Sequence, residues 1–224
     1  MKSCSPWHLY VIIDRLAIGQ RDLESVAAGA IRGGADVIQL RDKRASTSQL
    51  IQEAEKLKAL TQASQIPLIV NDRVDVAKAV GADGVHLGQD DLPVTVARDI
   101  LGPDRLIGKS THSLNQALAV ESEGVDYLAV GPLFSTPTKP EYSPVGTALI
   151  TQITPRLHRP CVCIGGIDDS NLKSVLQAGA FCVAVVRAVC AATDPEAATR
   201  QLKRILTEFF SDDPSQPVIQ SSAL

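Results

Sequence analysis

Two aspartates stand where short apolar runs give way to polar loops: Asp72 in Asn71-Asp72-Arg73 after LIV, and Asp91 in Gly88-Gln89-Asp90-Asp91 after GVHL. If those runs are neighbouring strands, the two carboxylates converge. Converging carboxylates beside cations suit magnesium, which takes one or two protein carboxylates and completes its shell with water and phosphate oxygens. Taken singly, each acid is equally an ordinary loop carboxylate or a helix cap. Cations follow comparable runs: Arg41 and Lys43 in Gln39-Leu40-Arg41-Asp42-Lys43, Lys139 in Thr136-Pro137-Thr138-Lys139-Pro140, and Arg187 in Val186-Arg187. Arginine grips phosphate as a fork and lysine as a point charge. Gly165-Gly166 after CVCI offers exposed backbone N–H groups for a phosphate, or only a tight turn. His86 lies inside a run and reads as a packed core histidine. His112 fits a ligand contact or a helix start and is kept out of the catalytic set. No Ser–His–Asp or Cys–His arrangement indicates a covalent nucleophile.

The elements that must position these groups are marked by punctuation. A glycine, a small residue and usually an aspartate precede four apolar runs: Gly34-Ala35-Asp36, Gly81-Ala82-Asp83, Gly124-Val125-Asp126 and Gly179-Ala180-Phe181. Four more runs follow Pro6, Pro67, Pro103 and Pro160. Between them the pattern turns helical, as in 22–32, where Leu23, Val26, Ala27, Ala30 and Ile31 share one face. Ser46 with Gln49, and Ser113 with Gln116, have capping-box spacing. Alternating strands and helices imply right-handed βαβ units and a parallel sheet. Eight units with no sign of strand-order reversal favour a single-domain (β/α)8 TIM barrel over 1–210, an open doubly wound sheet being the other solution. The chemistry then belongs at the strand exits. Strand five is expected to exit at Gly108-Lys109-Ser110-Thr111-His112-Ser113, and the last helix to run from Pro195 to Phe210, leaving 211–224 as a disordered tail.

At 224 residues and 45% hydrophobic the chain can bury one substantial core. A net charge of −3 argues against general nucleic-acid binding. Five cysteines without a CxxC pair suggest neither a disulfide framework nor zinc, but buried thiols of a reducing compartment; Cys161 and Cys163 share a strand face. The first residues do not read as a signal peptide, and no run nears the ~18 apolar residues of a membrane span. A soluble cytoplasmic protein is expected.

The motifs QLRDK at 39–43, NDRVDVAKAVGADGVHLGQDD at 71–91, GKSTHS at 108–113, GPLFSTPTKP at 131–140 and IGGI at 164–167 resemble the thiamine-phosphate synthases over nearly the whole chain. The resemblance implies a usually dimeric (β/α)8 enzyme joining hydroxymethylpyrimidine diphosphate to a carboxylated thiazole phosphate, with release of diphosphate and carbon dioxide. It implies that the segment from Gln39 through Leu40, Arg41 and Asp42 to Lys43, with Asn71, Ser110 and Lys139, contacts the pyrimidine diphosphate. Arg41, Lys43, Ser110 and Lys139 are the catalytic candidates among these, Ser110 accepting from or orienting the pyrimidine amine. One Mg2+ per subunit would sit on Asp72 and Asp91. Thr136, Pro137, Thr138, Gly166, Val186 and Arg187 would hold the thiazole phosphate; many members have serine where this chain has Arg187. Two phosphorylated substrates bring roughly five negative charges, which one magnesium and four Lys/Arg side chains offset in large part. A thiazole tautomerase-like isomerase and a non-catalytic phosphate-ligand sensor are the alternatives, with homodimer assembly expected and neither nucleic acid nor membrane as partner.

Overall fold

The computed structural model describes residues 7–140 and 142–212. Eight parallel strands close in sequence order into a barrel: β1 Leu9–Asp14, β2 Val37–Arg41, β3 Leu68–Asn71, β4 Gly84–Leu87, β5 Leu106–Thr111, β6 Tyr127–Val130, β7 Cys161–Ile164 and β8 Cys182–Val185. The helices are α1 Arg15–Ile18, α2 Leu23–Arg32, α3 Thr47–Ala63, α4 Val74–Ala79, α5 Val94–Leu101, α6 Leu114–Ser122, α7 Ala148–Ile153, α8 Leu172–Gln177, α9 Arg187–Cys190 and α10 Pro195–Asp212. The closed order settles the choice between barrel and open sheet.

Strand alternation divides the side chains into two cores. One set, including Leu9, Val11, Ile13, Ile38, Leu40 and Leu68, packs outward against the helices. The other, including Tyr10, Ile12, Val37, Ile69, Tyr127 and Val162, fills the barrel interior. Each such aliphatic side chain contributes about 1.5–3 kcal/mol when fully buried. Gly108 lies opposite Tyr127 in the β5–β6 register, and a Cβ there would run into the Tyr127 ring, so the glycine makes room for an interior tyrosine.

The repeated Gly-x-Asp phrase does its work at the bottom of the barrel. Gly34 and Gly179 each sit at φ +102°, a left-handed conformation that ends the preceding helix at little steric cost. The aspartates then clamp strand starts. Asp36 Oδ2 accepts from the Leu9 and His8 amides at 2.8 Å, Asp83 from the Leu68 amide at 3.0 Å, and Asp126 from the Ile107 amide at 2.7 Å. A helix cation closes each clamp: Lys203, Lys58 and Arg98 respectively. In the fourth copy Phe181 replaces the acid, and its carbonyl pairs with the His8 ring instead.

Helix boundaries follow their caps. Asp22 accepts from the Ser25 amide ahead of α2, and Ser46 with Gln49 forms a full capping box ahead of α3. Ser113 accepts from the Gln116 amide, but the Gln116 side chain takes the His112 amide rather than that of Ser113, so only half the expected box forms. β5 continues through Thr111, which moves the fifth exit from Gly108 to His112; Lys109 points away from the interior to Glu123 at 2.8 Å. α10 runs to Asp212, two residues past its expected end. The rest of the expected tail, 213–224, lies outside the described residues.

Candidate active site

Two adjoining cavities open at the strand exits. The larger, 430 Å³, reaches from the β2–β5 exits to the loops after β6, β7 and β8; the smaller, 200 Å³, lies over the ends of β3 and β4. Arg41, Asn71, His86, Ser110 and Lys139 line both and form a shared wall.

The acid pair belongs to the smaller cavity. Asn71 ends β3, and Asp72 follows in the left-handed region at φ +61°, which aspartate tolerates better than bulkier residues. Asp91 is fixed by the Gly88 amide, which donates to its Oδ2 at 2.6 Å. The two carboxyl groups line the smaller cavity together and perturb one another. Burial, then the neighbouring Asp91, holds Asp72 above the usual carboxylate range. Burial alone would also raise Asp91. Its hydrogen bonds from Asp72 and Gly88, with Lys43 and Lys139 nearby, outweigh that and hold it low. Asp72 is therefore the first of the two to take up a proton as pH falls. Lys43 Nζ also reaches Asp72. Two carboxylates drawn together beside an ammonium group fit a divalent cation bound by both. Among the described residues no group of three or more His, Cys, Asp or Glu side chains assembles as a metal cluster.

Arg41 points inward from the end of β2 and pairs with the buried Asp14 at the end of β1. Asp14 also caps α1 through the Ala17 amide at 3.0 Å, so the guanidinium is anchored from behind. Lys139 Nζ stands 5.4 Å from the Tyr142 ring centroid, and that ring stacks on His112 at 4.3 Å. In the larger cavity Gly165 and Gly166 pass beneath the loop after β6. A Cβ on Gly165 would strike Pro132, and one on Gly166 would come within 2.7 Å of the Phe134 Cβ. Asn171 braces this turn by donating to the Gly166 carbonyl at 2.8 Å and accepting from the Asp168 amide at 3.0 Å. Thr136, Pro137, Thr138, Val186 and Arg187 line the same cavity.

The structure thus brings Gln39, Arg41, Lys43, Asn71, Asp72, Asp91, Ser110, Lys139 and the loop residues after β6, β7 and β8 to one mouth. Leu40 and Asp42 line neither cavity. Leu40 faces the helices because it alternates with Gln39 and Arg41 on the strand. Asp42 turns back to accept from the Arg44 and Ala45 amides. His86 is buried, as a core residue would be, yet it lines both cavities and hydrogen-bonds Ser110 and Tyr127. The sequence carries no signal for the placing of Asn171 and Tyr142, nor for the pairing of Asp14 with Arg41. Only Asp14, at the first strand's exit, had a positional signal.

The family model for thiamine monophosphate synthase matches residues 9–189. A thiamine-phosphate synthase of Chloroflexus aurantiacus is 49% identical over 202 residues, 90% of this chain and 93% of that protein. One from Shouchella clausii is 45% identical, covering 91% of this chain and 98% of its own. Among solved structures, thiamine phosphate pyrophosphorylase from Pyrococcus furiosus superposes with a TM-score of 0.84 at 38% identity, over 91% of this chain and 97% of that one. A 3-hexulose-6-phosphate synthase at 18% identity and TM-score 0.62 shares the fold alone. With the match running from the first barrel strand into the helix after the eighth, and relatives alike along nine-tenths of its length, the chain belongs to the thiamine monophosphate synthase family.

Proposed function

We propose that this chain is a thiamine-phosphate synthase, a transferase that joins 4-amino-2-methyl-5-(diphosphooxymethyl)pyrimidine to carboxylated 4-methyl-5-(2-phosphoethyl)thiazole, giving thiamine phosphate, diphosphate and CO2. One observation carries the reading: two compartments, one acidic and cationic and the other floored by a glycine turn, share a wall of five residues. Two phosphorylated molecules bound there would meet at that wall.

Asp72 and Asp91 are the residues that would hold Mg2+, which when bound would neutralise charge on the departing diphosphate. Arg41, Lys43 and Lys139 grip the diphosphate oxygens and favour departure of the leaving group with its electron pair. Gln39, Asn71 and Ser110 orient the pyrimidine, whose ring spreads the positive charge left on the methylene carbon. Thr136, Thr138, Gly166 and the Val186–Arg187 pair hold the thiazole phosphate so that the ring nitrogen faces that carbon and forms the new C–N bond. Loss of CO2 returns an electron pair to the thiazole carbon, which takes up a proton. Little acid–base machinery is needed; charge and position do the work.

The proposal includes a homodimer, and the exposed side chains of Leu92, Val96, Ile100 and Leu118 support an apolar contact face. It also includes a cytoplasmic location, in keeping with free Cys161, Cys163, Cys182 and Cys190. No helix among the described residues is long and apolar enough to cross a membrane. Purified protein supplied with both substrates and Mg2+ is expected to form thiamine phosphate and diphosphate. Isomerisation of the thiazole without condensation would favour the tautomerase reading, and ligand binding without any product would favour the sensor.

A further inference from the structure

Below the shared wall, a line of polar side chains crosses the barrel interior. Gln39 Nε2 donates to the Tyr10 hydroxyl at 2.7 Å, and the Tyr10 and Tyr127 hydroxyls lie 3.0 Å apart. Tyr127 Oη lies 3.2 Å from His86 Nδ1, and His86 Nε2 lies 2.9 Å from Ser110 Oγ. Five strands contribute one member each, and both ends line the larger cavity. At the Gln39 end the buried Oε1 has no hydrogen-bond partner among the described residues. A buried unpartnered acceptor on a residue that lines a cavity is an expensive feature unless a ligand satisfies it.

Counting hydrogens fixes the direction of every bond. Each hydroxyl carries one hydrogen, and a neutral imidazole carries one N–H. His86 is buried and its two ring nitrogens meet the neutral hydroxyls of Tyr127 and Ser110, surroundings that favour the uncharged ring. Burial likewise holds both phenols protonated. Because Gln39 donates to the Tyr10 oxygen, the Tyr10 hydrogen passes on to Tyr127. The Tyr127 hydrogen then goes to His86 Nδ1, which leaves the imidazole hydrogen on Nε2, facing Ser110. The Ser110 oxygen accepts it, and its own hydrogen remains for the cavity. Reversing any of the later bonds while Gln39 still donates would leave one buried hydroxyl hydrogen without an acceptor in this line.

We propose that Gln39, Tyr10, Tyr127, His86 and Ser110 form one polarised unit, in which the Gln39 amide fixes the His86 tautomer and thereby makes Ser110 a donor while Gln39 Oε1 is an acceptor. Tyr10, Tyr127 and His86 are positioning residues in this unit. Its two ends have opposite polarity, so they match a ring edge that carries a donor beside an acceptor, such as an amino group next to a ring nitrogen. An edge with two donors or two acceptors is mismatched at one end. This deepens the aminopyrimidine reading above and rests on it for the ligand, but the polarity belongs to the free protein and can be measured without turnover.

The test is long-range 15N–1H NMR of the full chain labelled at its four histidines, with His86 assigned by the loss of its signals in His86→Gln. A single Nε2–H tautomer is expected. In Tyr10→Phe and in Gln39→Met, neither of which removes an atom hydrogen-bonded to His86, the two well-separated nitrogen signals should move towards a common average as both tautomers become populated. If Tyr10→Phe does not fold, Gln39→Met carries the test. An Nδ1–H tautomer in the unaltered protein, or an unshifted Nε2–H tautomer in the folded variants, overturns the proposal.

Discussion

At the bottom of the barrel Asp36, Asp83 and Asp126 each accept a strand amide and face a helix cation, the same arrangement built three times. At the mouth Asp72 and Asp91 lie side by side, with Lys43 paired to Asp72 from the neighbouring strand and the Gly88 amide to Asp91. The residue type is the same, but what surrounds it differs. The bottom acids are fully satisfied by the chain itself, which is what a structural clamp requires. The mouth acids have partners too, Lys43 and the Gly88 amide, but they also stand against each other, a repulsion that a bound divalent cation would relieve. Repetition therefore marks the scaffold, and the strand exits that differ from one another carry the chemistry proposed above.

The largest effect that could break this comparison is at Asp72. Asp72→Ala should lower kcat by at least roughly 10²–10³-fold, while the urea unfolding midpoint shifts by less than the equivalent of ~1 kcal/mol. Unchanged turnover would remove the mouth acid from the chemistry. The opposite profile is expected at the bottom. Asp83→Ala strands Lys58 and the Leu68 amide, so it should cost about 3 kcal/mol of stability and leave kcat near that of the parent wherever the protein is folded. Comparable losses of kcat in both variants would erase the distinction.

A pH series sharpens the contrast, because a third kind of buried polar group lies between the two ends. His86 has a folded value of about 3 against an ordinary 6.5. The folded chain thus binds fewer protons than the unfolded one below 6.5; the stability is present above that value and is lost as pH falls towards 3. Between pH 7 and 5 the loss from this residue is about 2 kcal/mol. His8, whose value is lowered chiefly by burial, adds in the same direction. Denaturant midpoints at the two pH values check this, and His86→Gln should flatten the dependence. The smallest effect expected is at Ser46, which caps α3 on the mouth side without lining either cavity. Ser46→Ala should cost ~1 kcal/mol with kinetic constants unchanged, which would show that location at the mouth does not by itself confer a role in turnover.

The barrel was legible in the sequence because its punctuation is local. A glycine in a left-handed turn, a clamp acid and a proline each act within a few residues of the strand they mark. The convergence of Asp72 and Asp91 was legible for the same reason, since consecutive exits must be neighbours in a sequentially ordered barrel. What could not be read depends on contacts across the interior. Tyr10 and Tyr127 meet over 117 residues of chain, and His86 reaches Ser110 from a different strand. No periodicity distinguishes these polar interior residues from packed core. β5 runs past Gly108 because that glycine, which resembles a strand exit, instead makes room for the Tyr127 ring. The QLRDK motif reads Leu40 and Asp42 together with their neighbours, because a motif does not record which residues alternate away from the mouth.

The most direct test measures thiamine phosphate formation side by side in the parent protein, Asp72→Ala and Asp83→Ala, with both substrates and Mg2+, at a temperature where all three are folded. The account predicts product from the parent and from Asp83→Ala at rates within about twofold, and a loss of at least roughly 10²-fold in Asp72→Ala. No condensation by the folded parent, or equal rates in the two variants, would contradict it.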